Sequence, residues 1–227
     1  MKKHIPNAIT CCNLVCGCIA TLYAFRGDYP AAFLFILLGA AADFLDGIAA
    51  RLLGVSSPVG KELDSLADDI TFGLAPSATA FSLLAADTPV PGLPYAAFLM
   101  AAFSALRLAK FNLDERQALG FIGLPTPANA LFWGSLSLLA GGGAAAGAAW
   151  LPWVLLGLVA LSCWLLVCEV PMFALKFKHY GLRGNEVRYG FILFSAAALI
   201  VGGRSAFVAI VPCYVVLSVF LWLIKNK

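Results

Sequence analysis

Asp43, Asp46, Asp64 and Asp68 are the residues of this chain whose type and spacing can do chemistry. The first two are three apart and the last two four apart, so on helices each pair shares a face. Gly47, Ala50 and Arg51 continue the first stripe at three- and four-residue steps. Between the pairs, GVSSPVG supplies the Gly, Ser and Pro of a short turn. The expected result is a helical hairpin whose four carboxylates converge on one point. With no His or Cys among them they form a hard, oxygen-only donor set, which suits Mg²⁺ or Mn²⁺. Two such ions side by side clamp a diphosphate and stabilise its leaving group. Arg51 offers a forked guanidinium to a phosphate, and Gly47 and Ala50 leave bare helix surface for a nucleotide. A carboxylate left partly free can act as general base on an incoming hydroxyl. The bland alternative is a set of buried ion pairs, but four acids against Arg51 and Lys61 leave excess negative charge that a cation must neutralise. Asp69 stands about 100° round from Asp68 on a helix and is expected to face water or a neighbouring chain.

The elements that must position these acids are apolar. Of 227 residues, 62% are hydrophobic and 12% charged, against about 25% charged in a soluble domain. The mean hydropathy is +0.91. This composition places the chain in a bilayer, as one all-α integral membrane domain over residues 1–227, without a linker or a cleavable signal. Segments near 8–25, 30–53, 63–86, 92–113, 127–146, 150–173, 187–203 and 206–224 are long enough to cross. Eight spans put both termini and the even-numbered loops on one side, leaving only Arg26 and Arg204 of the fifteen Lys and Arg on the other. By the positive-inside rule that face is cytoplasmic, and the acidic hairpin opens on it. The loops at 106–127 and 176–188 are the richer ones and lie on the same side; the small-residue stretch GGGAAAG lies opposite. Cys11, Cys12, Cys16, Cys18, Cys163, Cys168 and Cys213 have no His or acidic co-ligands at useful spacing and are read as small apolar residues. Nothing in the composition points to nucleic acid.

The pattern D43-x2-D46-G47-x2-A50-R51-x8-G60-x3-D64-x3-D68 matches, without departure, the signature of the CDP-alcohol phosphotransferases, and the chain is identified as resembling that family. The resemblance implies an enzyme in which an alcohol attacks the β-phosphorus of a CDP-activated lipid and CMP leaves. It implies that Asp43, Asp46, Asp64 and Asp68 hold two divalent metals, with Asp68 the general base. It further implies CDP contacts from Gly47, Ala50, Arg51, Ser57 and Gly60. IPNAITCCNLVCG, DSLADDITFGLAPS, RLAKFN and GFIGLPTPANA resemble the bacterial and archaeal phosphatidylserine synthase branch, so Asn7 and Thr10 are expected to face the nucleotide. The resemblance is strongest over residues 5–130, and it implies a catalytic core at about 5–173 with an extra helical hairpin at about 187–224. The branch implies CDP-diacylglycerol and L-serine as substrates, a homodimer, and a place in the inner membrane with the active site facing the cytoplasm. Two positions differ from the branch's pattern: Lys110 stands where a second Arg is expected, and Thr126 where Ser is expected.

An amino-acid acceptor needs a cation for its carboxylate, and Arg107 and Lys110 supply one beside the fourth span, with Asn112 able to orient the same ligand. A buried charge such as Arg107 needs a reason. Glu169, inside the sixth span near Pro171, is read as a structural group paired with a basic neighbour or set in a cavity. His4 and His179 are surface residues without a partner acid. Two alternatives stand beside this reading. One is a sister enzyme taking glycerol 3-phosphate or inositol phosphate. The other is a transporter of divalent cations or protons, against which the acids gather at one end.

Overall fold

The computed structural model describes residues 4–88, 90–114, 121–141, 147–173, 181 and 185–225. Among the described residues the regular structure is helical, apart from one pair of two-residue strands. Helix α1 spans His4–Phe25 and α2 spans Tyr29–Leu53. Asp28 caps α2 by accepting the Ala31 N–H at 3.1 Å, and Pro30 sits in the first turn, where its missing N–H costs nothing. Gly54, at φ +61°, ends α2 in the left-handed conformation that lets its N–H and that of Val55 return to the last carbonyls. Ser57 then opens α3, Pro58–Asp68, its Oγ accepting the Gly60 N–H at 3.0 Å. This cap starts the third membrane segment at Pro58 rather than at residue 63. It runs on through a π-helical turn, Asp69–Leu74, into α4, Ala75–Asp87.

A 3-10 turn, Leu93–Phe98, leads into α5, Leu99–Leu113. Strand β1 is Phe121–Ile122, followed by α6, Thr126–Ala140, and α7, Leu151–Val167. Helix α7 stops short of the expected residue 173. Cys168 turns extended (φ −63°, ψ 152°), and β2, Pro171–Met172, pairs antiparallel with β1. Helices α8, Glu186–Gly202, and α9, Phe207–Lys225, flank a 3-10 turn at Gly203–Ala206. They fold back on each other, since the rings of Phe191 and Tyr214 lie 5.9 Å apart. The hairpin tip is pinned to α6, where Ser135 Oγ donates to the Ser205 carbonyl at 2.7 Å and accepts the Val208 N–H at 3.0 Å.

Among the described residues, five helical stretches are long and apolar enough to cross a membrane: His4–Phe25, Tyr29–Leu53, Pro58–Asp87, Leu93–Leu113 and Glu186–Ile224, the last including both limbs of the hairpin. Helix α7 is apolar but shorter, and α6 has 15 residues where a segment to residue 146 was expected. Residues 1–3, 89, 115–120, 142–146, 174–180, 182–184 and 226–227 lie outside the described residues. With them go His179, much of the GGGAAAG stretch, and seven of the basic residues in the charge argument: Lys2, Lys3, Arg116, Lys176, Lys178, Arg183 and Lys227.

The core against which the acids are set is a close meeting of α1, α2 and the π turn. Thr71 Oγ1 donates to the Asn13 carbonyl at 2.9 Å, and Thr71 and Asn13 are fully buried. Gly17 and Gly39 make room for it. A Cβ on Gly17 would lie 2.7 Å from Thr71 Cα, which is backbone and cannot swing aside. Gly17→Ala is therefore expected to cost about 1–3 kcal/mol through overpacking. A melting temperature in detergent that is unchanged from the parent would show that α1 and the π turn are not locked together here.

Candidate active site

The turn between Gly54 and Ser57 returns the chain so that α3 lies against α1, which also packs along α2. Helix α1 is thus the wall against which both acidic limbs are read. Asp43 from α2 and Asp64 and Asp68 from α3 each present a carboxylate oxygen within 4.8 Å of the others. Among the described residues they form the one group of three or more His, Cys, Asp or Glu side chains close enough to share an ion. The expected four-way convergence is therefore three plus one. Asp46 falls outside the triad, although it is only 6% exposed, because Thr10 on α1 holds it: the Thr10 hydroxyl donates to Asp46 Oδ2 at 2.6 Å. Asn13, one turn further along α1, donates its Nδ2 to Asp68 Oδ1 at 3.1 Å.

Asn13 was missed in reading the sequence. Its signal was present: Asn7, Thr10 and Asn13 repeat at three-residue steps within an otherwise apolar helix, and a buried amide needs a partner.

Among the described residues no ion pair neutralises any of the four carboxylates. Lys61 Nζ donates instead to the Asn112 carbonyl at 3.0 Å, and Arg51 Nε to the Gly47 carbonyl at 3.0 Å. Three converging oxygen donors with their negative charge uncompensated fit a divalent cation of the Mg²⁺ or Mn²⁺ kind. Buried ion pairs do not describe this arrangement.

Beside the acids opens a cavity of about 270 Å³. Asn7 and Thr10 line it from α1, Asp46, Gly47 and Ala50 from α2, and Ser57, Gly60 and Asp64 from the turn and α3. Nothing lies within 4 Å of where a Gly47 Cβ would stand, so the glycine leaves the cavity open. A Cβ on Gly60 would sit 3.0 Å from Ser57 Oγ and 3.1 Å from Asn7 Oδ1, so that glycine keeps the floor clear. Six of the seven residues expected to contact the nucleotide therefore meet around one space. Arg51 is exposed one turn past Gly47 and is outside this lining.

The three residues expected at the acceptor do not stay together. Arg107 and Lys110 line a second cavity of about 430 Å³ at the cytoplasm-expected end of α5. Asn112 faces α3 instead, donating its Nδ2 to Ser65 Oγ at 2.8 Å. Asp69, expected to face water or another chain, is turned inward: its Oδ1 is buried and flanks Gly73 together with Ser104 of α5. Helix α5 packs against the π turn that begins at Asp69, so the face about 100° round from Asp68 meets Ser104 rather than water.

The family model of the CDP-alcohol phosphatidyltransferases matches residues 3–167, which contain both limbs of the acidic hairpin and all of α1. The chain belongs to this family. Among curated relatives, the CDP-diacylglycerol–serine O-phosphatidyltransferase of Bacillus subtilis is 41% identical over 125 residues, covering 55% of this chain and 70% of that protein. The proteins of the same name from Helicobacter pylori and Mycobacterium leprae are 36% and 35% identical, over 128 and 134 residues. Each of those matches covers 56% of this chain, and about half of the relative's own length, 54% and 44%. Helices α8 and α9 lie beyond the family match.

Proposed function

We propose that this membrane protein transfers a phosphatidyl group from CDP-diacylglycerol to the hydroxyl of L-serine, releasing CMP, as a step of phospholipid synthesis. The observation that carries the reading is the carboxylate triad opening beside a cavity lined by the family's nucleotide positions. The acceptor is read from the serine transferases among its relatives. Asp43, Asp46, Asp64 and Asp68 would hold two Mg²⁺ or Mn²⁺ ions, which when bound neutralise the diphosphate and its leaving group.

The protein's own residues do the rest. Asn7, Thr10, Gly47, Ala50, Ser57 and Gly60 seat the cytidine and diphosphate, and Arg51 brings its guanidinium to a phosphate. Asp68, oriented by Asn13, takes the proton of the serine hydroxyl as its oxygen bonds to the β-phosphorus. The bond from that phosphorus to the CMP oxygen breaks. Arg107 and Lys110 face the serine carboxylate. Most of the rate comes from holding alcohol and phosphorus together out of water.

In the finer organisation we infer, eight helices cross the bilayer, both termini and the site face the cytoplasm, residues 5–173 form the catalytic core, and the α8–α9 hairpin is an addition to it. The lipid enters sideways, and two copies associate.

The test is CMP release by purified protein with CDP-diacylglycerol and Mn²⁺ or Mg²⁺, comparing L-serine, glycerol 3-phosphate and inositol phosphate. Release with serine alone is the expected result. Release only with a phosphorylated acceptor would overturn the serine assignment, and binding of neither CDP-lipid nor acceptor would return the transporter reading.

A further inference from the structure

The second cavity carries charges of both signs. Arg107 is 6% exposed, and its Nε and Nη2 are buried without a hydrogen-bond partner. A guanidinium left this way is costly unless a ligand completes it. On α5 Arg107 lies between Ser104, which meets the π turn beside Asp69, and Asn112, which bonds to Ser65, so its stretch of α5 runs alongside the helix that carries Asp68. The same cavity is lined by Glu169, exposed and without an ion pair among the described residues. Asp114 shares the rim but already has a partner.

Glu169 is held there by backbone. Because α7 ends at Val167, the segment after it is extended. The Ile122–Pro171 pairing, the Gly123 N–H donated to the Val170 carbonyl at 3.0 Å and the Leu124 N–H donated to the Leu165 carbonyl at 2.8 Å fasten both sides of Glu169. Gly123, at φ +75°, lets the chain after β1 approach the end of α7: a Cβ there would lie 2.8 Å from the Leu166 carbonyl oxygen. A cation from α5 and an anion from the segment after α7 thus line one cavity, with no ion pair between them among the described residues.

We propose that Glu169 binds the ammonium group of a zwitterionic acceptor whose carboxylate lies on Arg107, so that this pair selects an amino acid over other alcohols. The assignment rests on the serine-transfer reading above. Arg107 draws the carboxylate, Glu169 takes the ammonium, and the hydroxymethyl group is left for Asp68. An acceptor bearing phosphate in place of ammonium would bring negative charge against Glu169 and be disfavoured.

The experiment compares L-serine with glycerate, which keeps the carboxylate and hydroxymethyl group but has a neutral hydroxyl for the ammonium. Parent protein and Glu169→Gln are assayed for CMP release, with CDP-diacylglycerol binding measured on both. The parent should prefer L-serine by about tenfold or more, the scale of one charge-assisted hydrogen bond. In Glu169→Gln the KM for serine should rise by a similar factor, with kcat and CDP-lipid binding within about twofold, while glycerate kinetics stay unchanged. Glu169→Asp should recover part of the serine preference. An unchanged serine KM in Glu169→Gln would overturn the role of Glu169 while leaving the transfer reaction intact. If the variant fails to bind CDP-lipid, the parent alone decides, and equal use of glycerate and serine would overturn the proposal. Absence of serine-dependent release in the parent would overturn the serine reading itself, and this assignment with it.

Discussion

Asp68→Asn is expected to lower CMP release by about 10³-fold, within the range that a positioned base contributes, while CDP-diacylglycerol still binds. Asp68 is oriented by a side chain from another helix, Asn13 Nδ2 at 3.1 Å. It lies at the end of α3, against the π turn that locks into α1 and α2. The substitution keeps the shape of the side chain and an oxygen for Asn13 to donate to, so the fold and the nucleotide cavity should survive. What it removes is the capacity to accept a proton from the attacking hydroxyl. Single-turnover CMP release at saturating metal, set beside a CDP-lipid binding isotherm, separates the two effects. A variant with near-parental turnover would remove Asp68 as the base and move attention to Asp43 or Asp64.

Chelation should abolish turnover, and Asp64→Asn should shift the metal requirement. EDTA-treated protein is expected to release no CMP until Mg²⁺ or Mn²⁺ is restored. In Asp64→Asn the Mn²⁺ concentration for half-maximal binding should rise by at least about 10- to 100-fold, the loss already produced by removing outer partners of metal ligands. The reason is charge as well as geometry. Three carboxylate oxygens lie within 4.8 Å of one another, and no described cation compensates them. Taking one charge away relieves their mutual repulsion and weakens the attraction for a divalent ion together. Direct Mn²⁺ binding, followed by calorimetry or paramagnetic resonance, reads this without relying on activity. Metal binding that is equally tight in the parent and in Asp64→Asn would mean that the triad is not where the ion sits.

Much of this site could be read along the chain because its parts are close in sequence. Asp43, Asp46, Gly47 and Ala50 belong to one helix, and Asp64 and Asp68 to the next, so the periodicity of a helix alone puts them on shared faces. The turn between them is capped by residues whose chemistry is local: Gly54 at positive φ and Ser57 on the Gly60 N–H. The membrane setting was readable for an equally simple reason, since a chain this apolar leaves no other solvent for its helices.

The tertiary structure decided what local periodicity cannot encode. Whether four acids converge or divide as three plus one depends on Thr10, which reaches Asp46 across 36 residues. The orientation of Asp68 depends on Asn13, 55 residues away. Asp69 turned inward because α5, with Ser104, packs against the turn it opens. Asn112 left the acceptor group because α5 meets α3 at Ser65. Glu169 came to line the same cavity as Arg107 because α7 stops early to pair with a strand from before α6. Spacing along a helix fixes which side chains share a face, whereas the packing of distant helices fixes what each face meets. The acids and their chemistry were therefore present in the sequence, and the partners that divide, orient and surround them existed only in the fold.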